Sequence, residues 1–181
     1  GEFFVAEGSD GFIARLLQNM QPAEVLVKKS QKQNFLDSFG PFNVLAFDEW
    51  VFSHQYAQDL LLRQFATENL KGFGVDHLEN AVIAAGACVH YVNETRQDAG
   101  TAHIQSLSRI DNDDFVWLDR FTIRNLELVQ SFNERGKSLL KTIDRTSSPM
   151  GARLLQRWLL LPLLSKSKIE DRLDAVTCFF N

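Results

Sequence analysis

The sequence has 181 residues, 45% of them apolar and 23% charged, with a net charge of −4 and two cysteines. Those values suit a globular chain of one domain or two small ones, and they exclude a collagen, a disordered tail and a disulfide-stapled miniprotein. The longest apolar run, 158–164, is interrupted by Pro162 and falls far short of the roughly 20 residues that cross a bilayer. Charge is unevenly spread, with an acidic excess in residues 1–95 and a slight basic one in 96–181. Cys88 follows Ala84-Ala85-Gly86-Ala87 and reads as a buried free thiol in a reducing setting. The chain opens at Gly1 with neither Met nor a secretory signal, as expected of a segment cut from something longer; Asn93-Glu94-Thr95 is then a chance glycosylation sequon.

In chain order, Phe3-Phe4-Val5 reads as a strand remnant. Ser9 stands as an N-cap before Phe12, Ile13, Leu16, Leu17 and Met20, which recur at helical spacing until Pro22. Glu24-Val25-Leu26-Val27 is a short β-branched strand, 31–39 a polar helical turn, Gly40-Pro41 a breaker and 42–47 another strand. A helix beginning near Ser53 closes with Leu60, Leu61, Gln64 and Phe65, completing the alternation of an α/β layer. After the glycine-punctuated loop 69–75, Leu78, Val82, Ala85, Val89 and Val92 make one helical stripe. Gly86 within it costs about 1 kcal/mol relative to Ala, which predicts a closely packed neighbour as compensation.

The second half begins with an expected hairpin. Ile104, Leu107 and Ile110 lead through Asp111-Asn112-Asp113-Asp114 to Phe115-Val116-Trp117-Leu118. From Asp119 onward the pattern is helical, with Leu126, Val129 and Phe132 on one face. Ser148-Pro149 is an N-cap with proline at the first helical position, and Leu154, Leu155, Trp158 and Leu159 give that helix its apolar face. Ser167-Lys168-Ile169-Glu170 is a capping box, and the stripe Ile169, Leu173, Val176 and Phe180 is still running where the sequence stops.

Motifs that carry chemistry are scarce. Gly136-Lys137-Ser138 resembles the tail of a P-loop, but Ser131 stands where its first glycine belongs and no buried strand precedes it. His54, His77, His90 and His103 lack the spacing of a zinc site, and His90 reads as a partly buried structural histidine. Asp48 and Glu49, after the strand ending at Phe47, and Glu2 on the first strand form a thin two-metal constellation, against which stands the plain reading of solvated turn carboxylates. Arg120, Arg124, Arg135, Lys137, Lys141, Arg145, Arg153 and Arg157, against Glu127, Glu134 and Asp144, make a modest basic stretch. It reads either as a solvated helical face or as a phosphate-contacting surface.

The residues of the second half resemble a family. Leu118-Asp119-Arg120-Phe121-Thr122-Ile123-Arg124-Asn125-Leu126-Glu127-Leu128 is similar to the LD-xx-T-xR-NLEL block of MutS, the DNA mismatch-recognition ATPase family. Ser138-Leu139-Leu140, Ile143-Asp144-Arg145-Thr146, Ser148-Pro149-Met150-Gly151, Arg153-Leu154-Leu155 and Trp158-Leu159 resemble its next block, which Leu161-Pro162-Leu163 and Arg172-Leu173-Asp174-Ala175-Val176 continue. Upstream, Gly1-Glu2-Phe3, Pro22-Ala23-Glu24-Val25-Leu26, Gly72-Phe73-Gly74 and Ala84-Ala85-Gly86-Ala87 also match, so the resemblance covers nearly the whole chain. Two departures are small: Ser148 replaces a usual Thr, and Phe121 a usually small residue.

The resemblance implies an α+β chain: an α/β connector domain similar to RNase H over 1–95, then the start of the helical core, or lever, domain over 96–181, with a short β-hairpin. It implies a non-catalytic role in DNA mismatch repair, linking mismatch binding to the ATPase, with no catalytic, cofactor or metal residue in this stretch. ATP and magnesium are expected only in the ATPase domain, and mismatched double-stranded DNA through the full-length protein. Expected partners are the remaining MutS domains, a second copy in a homodimer, and a MutL-type protein docking on the connector, preferably on the exposed side of the 53–65 helix; no membrane is expected. The location implied is cytoplasmic and nucleoid-associated. The signature residues, structural or coupling in role, are Gly72, Phe73, Gly74, Asp119, Arg124, Asn125, Leu126, Glu127, Pro149, Met150, Gly151, Arg153, Trp158 and Pro162. The family's mismatch-binding Phe-x-Glu lies upstream, so Phe47-Asp48-Glu49 and Phe132-Asn133-Glu134 are chance copies. The other readings open to the sequence are a stand-alone DNA-binding module built on the basic 120–157 helices and an RNase H-like metal-dependent nuclease.

Overall fold

A computed structural model describes residues 2–95, 103–111, 114–133 and 135–180. Gly1, the Asn112-Asp113 centre of the expected turn, Glu134 and the expected start of a second domain at residue 96 lie outside the described residues. Helix and sheet are mixed, and the chain divides into two compact units: Gly1–Ile13 with Pro22–Ile110, and Ala14–Gln21 with Asp111–Asn181.

In the first unit, β1 (Phe4–Val5) precedes helix α1 (Asp10–Met20), whose first turn belongs here and whose remainder belongs to the second unit. The Ser9 carbonyl accepts Phe12 N and Ile13 N, and Gln21 leaves the helix in a left-handed conformation just before Pro22. Strand β2 (Val25–Lys28) leads through α2 (Lys32–Phe39) to β3 (Val44–Phe47), which pairs with it in parallel from Val25↔Val44 to Lys28↔Phe47. Two 3-10 turns that follow these strands are tied together: Lys29 Nζ meets Asp48 at 2.6 Å, and Glu49 accepts Ser30 Oγ at 2.7 Å.

Helices α3 (His54–Phe65) and α4 (Glu79–Thr95) build the core. Ser53 caps α3 by accepting Tyr56 N. Ala57 and Leu61 of α3 meet Ala81, Val82, Ala85 and Val89 of α4, joined by Val5, Leu70, Val75 and Leu107. The small-residue stripe has the close neighbour it demanded: a Cβ on Gly86 would lie 2.5 Å from Ala57 Cα and 3.2 Å from its carbonyl carbon. Glu7 accepts Ala81 N at 3.0 Å and Asn80 Nδ2 at 3.3 Å, supplying acceptors at the start of α4.

One expectation fails in this unit. Cys88 is exposed, because it lies one turn beyond exposed Ala84 and outside the arc that faces α3. The hairpin expected through 111–114 is centred on residues outside those described. In this unit β4 (Ser108–Arg109) pairs in parallel with β1, Phe4↔Ser108 and Val5↔Arg109, with Leu107 drawn into the core and Ile110 N reaching Val5 O at 2.8 Å. Phe115 forms an isolated antiparallel bridge with Leu163.

The second unit also holds α5 (Arg120–Asn125), α6 (Leu139–Ile143), α7 (Pro149–Leu160) and α8 (Lys166–Phe180). The helical face expected through Leu126, Val129 and Phe132 is a run of turns. Glu127 takes a left-handed φ of 47°, and local side-chain bonds then outcompete the helix: Asn133 N donates to Ser131 Oγ and Arg135 N to Asn133 Oδ1. The cap of α8 is also shifted. Ser165 accepts Ile169 N through its carbonyl, so Ser167 is inside the first turn, and Glu170 pairs with Lys166 instead of closing a capping box. The stripe Ile169, Leu173, Val176 and Phe180 is exposed.

Candidate functional site

The signature residues fall into three local sets. In the first unit, Gly72 and Phe73 lie in a 3-10 turn, and Gly74 ends it with a φ of 67°, a conformation open to glycine without strain. Phe73 packs its ring 4.8 Å from that of Phe65, so this set locks the loop onto α3.

The second set builds the segment 119–136. Asp119 caps α5: its carboxylate accepts Thr122 N at 2.8 Å and Thr122 Oγ1 at 3.2 Å, and the backbone bond chiefly holds it below the usual carboxylate range. Arg124, in the last turn, places its guanidinium 4.9 Å from the centroid of Phe132. Asn125 ends the helix, Leu126 follows it and is exposed, and Glu127 turns the chain. The Glu127 carboxylate accepts Phe132 N at 2.6 Å and Ser131 Oγ at 3.1 Å, while its carbonyl accepts Leu139 N at 2.9 Å. One acidic residue therefore fixes the loop at both ends.

The third set frames α7. Ser148 accepts Gly151 N at 3.1 Å and Pro149 takes the first helical position, as the sequence required. Met150 and Arg153 are exposed, while Trp158 is half-buried beneath the Arg172 guanidinium at 4.4 Å. Burial, and secondarily Arg157, lowers the Arg172 pKa. Pro162 offers its carbonyl to Val116 N at 2.8 Å. Apart from the exposed Met150 and Arg153, these residues cap, turn and pack.

A pocket of about 420 Å³ opens beside the second set, lined by Arg120, Arg124 and Phe132, by residues at the end of α1 and by Gln156 and Leu160 of α7. The family motif pointed only to Arg124 among these. The remainder come from the stretches 18–21, 120–132 and 156–160, the first about a hundred residues before the second, and the one local signal was an Arg pair at i, i+4 with no acid between.

The two competing readings are not supported. Asp48 and Glu49 are held by Lys29 and Ser30, and the Ser30 hydroxyl and then its backbone N–H lower the pKa of Glu49. No group of three His, Cys, Asp or Glu residues able to hold a metal occurs among the described residues. The basic residues of 120–157 are dispersed over α5, the turns, α6 and α7. Gly136-Lys137-Ser138 lies in a turn, with Ser138 capping α6 through Lys141 N. His90 is nearly buried, its Nδ1 2.8 Å from the Tyr56 hydroxyl and its Nε2 3.4 Å from Glu94. No helix among the described residues is long and apolar enough to cross a membrane.

The fold and signature residues define a two-unit segment whose distinctive side chains hold backbone in place. Residues 1–105 match the family model for MutS domain II, and residues 121–181 that for MutS domain III. The chain is 48% identical over 181 residues to the DNA mismatch repair protein MutS of Parabacteroides distasonis, covering 99% of this chain and 21% of that protein. It is 49% identical over 181 residues to that of Phocaeicola vulgatus, with the same coverage, and 46% identical over 177 residues to that of Cytophaga hutchinsonii, covering 97% of this chain and 21% of that protein. The chain belongs to the MutS family, and spans about a fifth of the length of the curated relatives it matches.

Proposed function

We propose that the chain is the connector and the beginning of the core of a MutS protein acting in DNA mismatch repair, and that it transmits, without catalysing, between mismatch binding and ATP hydrolysis. The observation that carries this reading is the match to domains II and III along the chain, together with signature residues used as caps, turns and packing. Transmission over a distance needs packed elements that move as bodies. The α3/α4 contact at Ala57 and Gly86, and α7 with its capped start, are the elements assigned to it. On this reading residues 1–95 are the RNase H-like connector and residues 96–181 begin the core. ATP and magnesium act in the parent's ATPase domain, mismatched duplex is held by the full-length homodimer, and the setting is cytoplasmic.

The MutL-type partner is assigned to the exposed side of α3, where Gln55 Nε2 donates to Asp59 at 3.1 Å. The test is Asp59→Lys in the full-length protein. Mismatch binding persists while recruitment of MutL falls about tenfold, and the spontaneous mutation rate of cells rises. Unchanged recruitment moves the docking face elsewhere.

A further inference from the structure

Arg120 and Arg124 stand one turn apart on α5 and line the same pocket. Like charges at that spacing repel, and no carboxylate among the described residues lines the pocket to relieve them. Among the described residues neither guanidinium forms an ion pair. The nearest acids in sequence are committed elsewhere, Asp119 to Thr122 and Glu127 to Ser131 and Phe132 N. Phe132 holds the Arg124 guanidinium from one face, which leaves its planar fork of donors for a ligand.

We propose that this pocket binds a small phosphate monoester, with Arg120 and Arg124 taking the phosphate and the rest of the cavity its organic body. A phosphate monoester carries close to two negative charges at neutral pH, matching two arginines, whereas a carboxylate or a backbone phosphodiester carries one. The volume, about 420 Å³, lies within the range of small-molecule sites. Gln18 and Gln156 offer amides for polar atoms of the body, and Ile123 and Leu160 give an apolar floor. The assignment is independent of the transmission reading, because it rests on the lining of the second unit alone.

The test is calorimetric titration of the 181-residue chain with adenosine monophosphate, with inorganic phosphate and a short DNA duplex as separate arms at matched ionic strength. The monophosphate binds with a dissociation constant on the order of 1 mM or tighter, and more tightly than inorganic phosphate. Arg120→Gln and Arg124→Gln each weaken it by about tenfold or more, while far-UV circular dichroism shows the fold intact. Arg124→Lys keeps the charge but loses the fork, and binds more weakly than the parent. Three results overturn the proposal: equal affinity for inorganic phosphate and the monophosphate, binding of the duplex alone, or monophosphate affinity unchanged in both glutamine variants.

Discussion

Replacing Gly86 by alanine tests the packing on which the first unit depends. The added Cβ would lie 2.5 Å from Ala57 Cα, against about 3.5 Å for carbons in contact, so α3 and α4 must separate by about 1 Å. No rotamer change relieves this, because the opposing atoms are the Ala57 backbone and a Cβ that has no rotamers. Overpacking costs about 1–3 kcal/mol, and the contact argues for the upper end. Alanine regains up to about 1 kcal/mol of helix propensity. The net loss is about 2 kcal/mol, a fall in melting temperature of about 4–8 °C for a chain of this size. Urea unfolding gives the size of the loss, and hydrogen exchange of the α4 amides locates it in the first unit. Adding Ala57→Gly removes the opposing Cβ but not Cα, so rescue is partial. Gly86→Ala as stable as the parent, or more so, would refute the close approach.

Other substitutions separate the roles of single residues. Ser148→Ala removes the bond to Gly151 N and destabilises the chain by about 1 kcal/mol, read from the urea midpoint. Trp158→Ala costs about 2 kcal/mol, less than a fully buried tryptophan, since the ring is half-buried under Arg172; a double-mutant cycle with Arg172→Ala returns a coupling of about 0.5–1 kcal/mol. Asp119 has its pKa lowered on folding, so its cap is present above the ordinary aspartate value, near 4, and is lost as pH falls below it. Amides of α5 therefore lose protection toward acid pH in the parent, and Asp119→Asn flattens that dependence.

The readable parts of the fold were those in which neighbours in sequence carry the whole cause. Ser53 and Ser148-Pro149 cap helices by local bonds, and the small residues of 81–89 announce a close neighbour through their size alone. The parallel partner of Ser108-Arg109 is Phe4-Val5, about a hundred residues away, and local patterning is blind to a strand that distant. Leu126, Val129 and Phe132 have helical spacing, yet Glu127 in a left-handed turn and the side chains of Ser131 and Asn133 decide the backbone. Cys88 shares the composition of the buried stripe but not its angle on the helix. Two serines, at 165 and 167, competed for one cap, and composition gave no means of choosing. The family motif reached Arg124 but not the pocket, whose walls join only once α1, α5 and α7 are folded.

Transmission is tested most directly in the full-length protein carrying Gly86→Ala, assayed below its unfolding temperature. The quantity is the difference in ATP hydrolysis between mismatched and matched duplex, measured beside mismatch affinity and basal hydrolysis. The difference shrinks severalfold while affinity and basal rate hold, because on the proposed reading the shifted α3/α4 contact lies in the connecting segment. A variant destabilised as calculated yet showing the parent's full response to mismatch would contradict it.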